Sequence, residues 1–415
     1  MSSLLLLCLL AAPQPSIDQI LERHMQALGG QDAIARIRTQ VRKGRFEFRA
    51  GGRSFPVETF VKAPDKAQFV LTEPGVFVFE QAVNGAKGWT LEPDYRRDLT
   101  PAGVAEINYL VNFSVPLDLR RFFPEMKVTG EEGGAWTVEC KPASGDAVVA
   151  HFDKSTGLLT RIGDNYFEDY RTVDGVRLPF LIRAVQGRAA QVLTISEVRN
   201  NVPIEEARFD PEVAATAFKK KMDDIVQPAL KKSLDGIDST PEARAVLAGM
   251  YNFAPEDGRI LYDFIVSHGY KRLLEIGTAR GNSALWMGLA LRKTGGKLIT
   301  LEMNAEVARI ATENFKRAGL ADIVECRVND AFKEIPTLAG DFDSVFMDTG
   351  ARLHKRFLEL VYPRVPAGGA ISSHNANDMK LAMPDFLEAI TENPDLETAV
   401  RETAGGGFTF SVRNR

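Results

Sequence analysis

Cysteine is scarce in this chain: Cys8, Cys140 and Cys326 are the three among 415 residues. That leaves no disulfide framework and no thiolate cluster for zinc. Neither sign of charge dominates. Lys and Arg number 51 against 55 Asp and Glu, for a net charge of −4, and residues 1–210 and 211–415 each sit at −2. A broad phosphate-binding footprint is missing, which argues against nucleic acid as a partner. Long apolar runs are missing too. The one run of note, LLLLCLLAA at residues 4–12, is too short to span a bilayer as a helix. What the sequence has in quantity is core-forming material: 45% hydrophobic residues, with 25 Phe, 8 Tyr and 3 Trp. At this length that composition implies two or three globular domains and excludes wholesale disorder.

The run at residues 4–12 has the length of a signal-peptide core and is followed by Pro13, so residues 1–15 read as a leader for export. No Lys or Arg precedes the run, and Leu5, Leu6 and Leu7 before Cys8 do not form a lipoprotein processing site. A functional leader places the protein in the periplasm or cell envelope; otherwise it is cytoplasmic.

Residues 16–212 begin with apolar positions at helical spacing (Ile17, Ile20, Leu21, Met25, Leu28) that stop at Gly29-Gly30. From Val41 the period becomes two, with Phe46 and Phe48 alternating with Arg45, Glu47 and Arg49. Similar short segments recur to residue 198, separated by turn signals such as Asn84-Gly85, Gly133-Gly134 and Asp174-Gly175. This pattern predicts one large, curved antiparallel sheet covered on one side by helices. Its inner face forms a core, or a groove for an apolar ligand if the sheet stays open. The segments ILERHMQALGGQDAIARIRT, KGRFEF, VKAPDKAQFV, NGAKGW, KSTGLLTRI and DYRTVDGVRLPF resemble bacterial outer-membrane lipoprotein-sorting proteins of the LolA/LolB kind. The resemblance implies a half-open barrel around helices, binding of acyl chains, and export.

Residues 213–252 read as a helical linker, and from 253 to 415 strands alternate with helices. The prediction there is a doubly wound α/β domain, Rossmann-like, with an antiparallel edge and its ligand beyond the carboxyl ends of the strands. Glu275-x-Gly277-x-x-x-Gly281 follows a strand and opens a helix at Asn282-Ser283, so backbone can approach a ligand closely at the two glycines. It has neither the GxGxxG spacing of a dinucleotide fingerprint nor the lysine of a P-loop. Glu302 ends the next strand, where a carboxylate can accept both hydroxyls of a ribose. Asp330 and Asp348 follow at or just past later strand ends.

This ordered set, in EDGRILYDFIVSHGYKRLLEIGTARGNSALWMGLAL, GGKLITLEMN, FDSVFMD and VPAGGAISSHN, resembles the class I S-adenosylmethionine-dependent methyltransferases, above all the catechol and caffeoyl-CoA O-methyltransferases. The resemblance implies that Glu275, Gly277, Gly281 and Ser283 form the cofactor loop, and that Glu302 binds the ribose of S-adenosylmethionine. It places Met303 beside the adenine, Asp330-Ala331 on the adenine side, and Asp348 near the cofactor's amino end. Two positions depart from the pattern. His374-Asn375 stands where metal-using relatives have Asp-Asn, and Ala351 where they carry a lysine. Asp348, His374 and Asn375 are therefore the candidate ligands if a divalent metal is used, although hard Mg²⁺ prefers all-oxygen ligands. Without a metal, Asp348 and His374 are the candidate catalytic pair, His374 being the proton acceptor.

Two functions stay open on these residues. One is methyl transfer to a small-molecule or lipid-like acceptor, at a hydroxyl oxygen. The other is a non-catalytic periplasmic protein that binds an apolar ligand and carries a degenerate methyltransferase module.

Overall fold

Alternation of period two gives strands with one apolar face, and thirteen of them form a single antiparallel sheet in the N-terminal half. The computed structural model describes residues 14–48, 53–73, 77–93, 95–143, 145–186, 189–376 and 382–414; all but the last two residues of the expected leader lie outside these. The sheet is two meanders joined at a seam. Six strands from Thr39–Phe48 to Tyr95–Asp98 lie in chain order on one side, and seven from Glu125–Glu132 to Ala189–Asn200 on the other. Thr39–Phe48 then pairs with Ala189–Asn200, Gln40 opposite Asn200. The outermost strands, Tyr95–Asp98 and Glu125–Glu132, stand at opposite ends of the sheet, so the curve does not close. Helices Ile17–Ala27, capped by Ser16, and Pro101–Val111, capped by Thr100, contribute to the core on its inner face.

Three elements here escape the sequence pattern. Glu125–Glu132 (EMKVTGEE) alternates weakly, with Met126 and Val128 packed in part against the core, and Tyr95–Asp98 (YRRD) is polar throughout; as edge strands they show little apolar alternation. Pro101–Val111 carries a Gly and β-branched residues that blur its helical signal.

The long helix Pro211–Ser233 buries a stripe at four-residue spacing: Ala214, Phe218, Met222, Val226 and Leu230. One continuous apolar cluster runs from Ala82, Trp89 and Leu91 of the first sheet through this stripe into the core of the C-terminal domain. Lys221 on the same helix pairs with Glu80, a buried carboxylate of the first sheet.

The second sheet has seven strands in the order Val324–Val328, Lys297–Glu302, Arg272–Ile276, Ser344–Met347, Ala370–His374, Phe408–Arg413, Leu396–Arg401. The first five are parallel, and the last two form the antiparallel edge. Helix Asn282–Thr294 is buried from Asn282 through Leu291, because helix Pro255–His268 covers it. Gly258 allows that approach, since a Cβ there would stand 2.1 Å from the Trp286 ring. Strand order reverses between Arg272–Ile276 and Ser344–Met347, which opens a crevice at their carboxyl ends.

Candidate active site

The loop leaving Arg272–Ile276 is fixed by its neighbours on both sides. The Gly277 and Thr278 amides both donate to the Leu301 carbonyl, and Asp348 N–H donates to the Ile276 carbonyl. Gly277 and Gly281 take φ of +101° and +90°. A Cβ on Gly277 would stand 2.1 Å from the Asp348 carbonyl oxygen, and one on Gly281 would stand 2.5 Å from the Phe315 ring. Both glycines are thus required by left-handed backbone and by contact with the protein itself, which the expectation of close ligand approach had not anticipated. Any side chain at Gly277 pushes on the strand that carries Asp348.

Glu275 lies beneath this loop. It is fully buried, with Ser283 Oγ donating to Oε1 and Thr300 Oγ1 to Oε2, each at 2.5 Å. Burial lifts its carboxyl to about 8 despite those bonds. Glu275 and Ser283 therefore brace the loop from behind. Glu302 is at the rim, accepting from Ala279 N–H (3.0 Å) and Asn304 N–H (2.9 Å). One donor per oxygen leaves each with a lone pair for a ligand hydroxyl. Met303 beside it is 77% exposed. Asp330 caps the short helix Ala331–Glu334 through Phe332 N–H.

Asp348, half-buried at the end of Ser344–Met347, accepts from Asn375 Nδ2 at Oδ1 (3.1 Å). The same oxygen is 3.6 Å from His374 Nδ1, an ion-pair distance. The other ring nitrogen, Nε2, meets Asp257 Oδ2 at 2.8 Å. His374 is thus a bridge between two carboxylates, packed between the tilted rings of Phe253 and Phe408 with ring centroids 4.7 and 5.0 Å away. Burial pulls its pKa down, but Asp348 and Asp257 together outweigh burial and raise it to about 9. Glycines close the back of this group: a Cβ on Gly405 would overlap Asp257 Oδ2 at 2.1 Å, and one on Gly406 would stand 2.7 Å from Asn375 Oδ1.

A family profile described as a methyltransferase domain matches residues 274–376. Catechol O-methyltransferase of Mycobacterium tuberculosis is 31% identical over 203 residues, covering 45% of this chain and 88% of that protein. The chain belongs to the class I S-adenosylmethionine-dependent methyltransferases. Catechol O-methyltransferase of Niastella koreensis is 39% identical over 107 residues, 24% of this chain and 48% of that protein. Among solved structures, the O-methyltransferase from Bacillus cereus in complex with SAH is 23% identical, covers 48% of this chain and 97% of its own, and has a TM-score of 0.37.

Within the methyltransferase domain, Asp257 is the residue the sequence did not disclose. It sits in the first turn of helix Pro255–His268, where an acidic residue reads as an ordinary complement to the helix dipole. The available signal was its phase: Asp257 precedes Leu261 by four residues and shares the buried face. The donors around Asp348 do not fit a divalent metal, because both His374 nitrogens are turned to carboxylates. Among the described residues no group of three or more His, Cys, Asp or Glu is arranged to hold one. His354 is buried under the loop after Asp348, its Nε2 without a partner among the described residues. A void of about 680 Å³ at the amino-terminal ends of the strands, between Arg272, Lys297 and Asp322, is remote from all of these residues, so volume alone does not locate the site.

Proposed function

We propose that the protein methylates an oxygen of a small hydroxyl-bearing acceptor held against Asp348. The observation that carries this reading is the line Asp257–His374–Asp348, which ends at the crevice beside the glycine loop and Glu302. When bound, S-adenosylmethionine would supply a sulfonium methyl group, whose carbon bonds to the acceptor oxygen as its bond to sulfur breaks and the thioether leaves in line. Gly277 and Gly281 shape the loop backbone beneath it, Glu302 takes the ribose hydroxyls, and Met303 with Asp330-Ala331 borders the adenine. Asp348 Oδ2, which has no hydrogen bond among the described residues, orients the acceptor hydroxyl and accepts its proton. His374, in place of acting as the base itself, fixes Asp348 as an imidazolium, and Asn375 fixes it from the other side.

Calorimetric titration of S-adenosylmethionine tests the cofactor assignment. Glu302→Ala should weaken binding by roughly tenfold or more, since hydrogen bonds to a charged group contribute about 1.5–3 kcal/mol. Unchanged affinity in that variant removes Glu302 from the site. Tight binding with no transfer to any of a catechol and hydroxylated-aromatic panel favours instead the reading as an apolar-ligand binding protein with a degenerate module.

We further propose that residues 16–212 serve an apolar ligand, and that the chain works in the periplasm or envelope on a lipid-like acceptor. The open sheet around an apolar interior and the leader-like residues 1–15 support this. Fractionation of cells making the full chain should find it outside the cytoplasm and shortened at its N-terminus. An unprocessed cytoplasmic protein overturns the export part.

A further inference from the structure

The inner face of the first sheet bounds a cavity of about 80 Å³ beneath helix Pro101–Val111. Its walls are apolar, with Leu28, Ile34, Phe113, Phe152, Ile162 and Phe167 among them. The charges that line it have one sign: Arg42 and Arg177 face it, and among the described residues no Asp or Glu does. His24, also in the wall, is lowered to about 4 by burial and is neutral.

Arg42 is the unusual member. It lies on Thr39–Phe48 in the middle of the sheet and is 4% exposed. Its Nε donates to Gln40 Oε1 at 2.5 Å, and no carboxylate pairs with it among the described residues. Gln40 is committed in turn to Asn200 through its amide nitrogen. Directly across the ladder from Arg42 is Thr59, whose buried hydroxyl has no partner among the described residues. Burial lowers the guanidinium only to about 10, so it stays charged at neutral pH. An uncompensated buried cation costs several kcal/mol. It persists here beside an orphaned hydroxyl and against a hollow, apolar space.

We propose that this cavity binds a small amphipathic organic anion, a monocarboxylate whose headgroup pairs with Arg42 and whose tail lies among Phe152, Ile162 and Phe167. The volume is about half of the roughly 150 Å³ that holds a benzene ring, which suits a tail of about two to four carbons and is too small for a diacyl lipid. The site is separate from the methyltransferase crevice, and it narrows the apolar-ligand role of this domain to an acid.

Titration calorimetry on the full chain with butyrate and, separately, 1-butanol tests it. Butyrate should bind at least tenfold more tightly than the alcohol. In Arg42→Met that preference should vanish, while circular dichroism and S-adenosylmethionine binding stay as in the parent and thermal stability holds or rises, because a buried charge has been removed. Equal binding of acid and alcohol by the parent protein, no butyrate binding at all, or undiminished butyrate binding by Arg42→Met overturns the proposal. Should Arg42→Met fail to fold, the comparison of acid with alcohol on the parent protein decides by itself. Loss of S-adenosylmethionine binding in a separate Glu302→Ala variant leaves this result untouched.

Discussion

Asp348→Asn should lower the rate of methyl transfer by roughly 10²–10⁴, the usual contribution of a positioned proton acceptor. The substitution keeps the size of the side chain and the Oδ1 contact to Asn375, so S-adenosylmethionine should bind nearly as before. What it removes is the anion. A neutral amide cannot take the proton of the acceptor hydroxyl, and it no longer pairs with the His374 imidazolium 3.6 Å away. Single-turnover rates at saturating cofactor separate the two quantities. A loss of less than tenfold would remove Asp348 from proton transfer, and an equal loss in cofactor affinity would make it a binding residue.

The second large effect is expected at Asp257, which touches neither crevice nor cofactor loop. Asp257→Leu leaves His374 Nε2 facing apolar groups, and breaking a buried pair by removing one member costs about 3–5 kcal/mol. The pH dependence identifies the cause. In the parent protein the pKa of His374 is raised from 6.5 to about 9. Its contribution to stability is therefore fully present below about 6.5 and is lost as pH rises through about 9. Thermal denaturation between pH 6 and 10 should show this fall in the parent. In Asp257→Leu the fall should be smaller and begin at lower pH, because Asp348 alone then holds the charge of the ring against burial. Turnover should also decline as pH rises through about 9, the reverse of a histidine base that must lose its proton to work. A parent protein with flat stability from pH 6.5 to 9.5 would falsify the bridging imidazolium.

The positions at strand ends were legible in the sequence because short loops leave little freedom. Gly277, Glu302, Asp330, Asp348 and His374-Asn375 each follow a brief apolar strand, and parallel pairing carries all of them to one edge. Asp257 was not legible, since it reaches His374 across 117 residues from a helix whose rotation is set by tertiary packing, against Trp286 and through Ile260, Leu261 and Ile265. Glu275 shows the converse. Its place in the motif suggested contact with the cofactor, but the register that sets Thr300 beside it turns the carboxylate into the core. In the first sheet, strands with one buried face declared themselves by alternation. Of the two edge strands, Tyr95–Asp98 carries no such record and Glu125–Glu132 carries it faintly, in Met126 and Val128.

The seam of the first sheet has a consequence for the chain as it is made. Each meander is local and can form as its residues leave the ribosome, whereas the pairing of Gln40 with Asn200 spans 160 residues. Loop closure over that length adds little to the thermodynamic cost but slows the step that needs it. Until residue 200 is available, Thr39–Phe48 presents an unpaired edge in what becomes the centre of the sheet. At ordinary translation rates that interval is roughly 8–30 s. An open edge flanked by buried Phe55, Val57 and Val61 invites pairing with another nascent chain, so the yield of soluble protein depends on how quickly, and how well shielded, the last strand arrives.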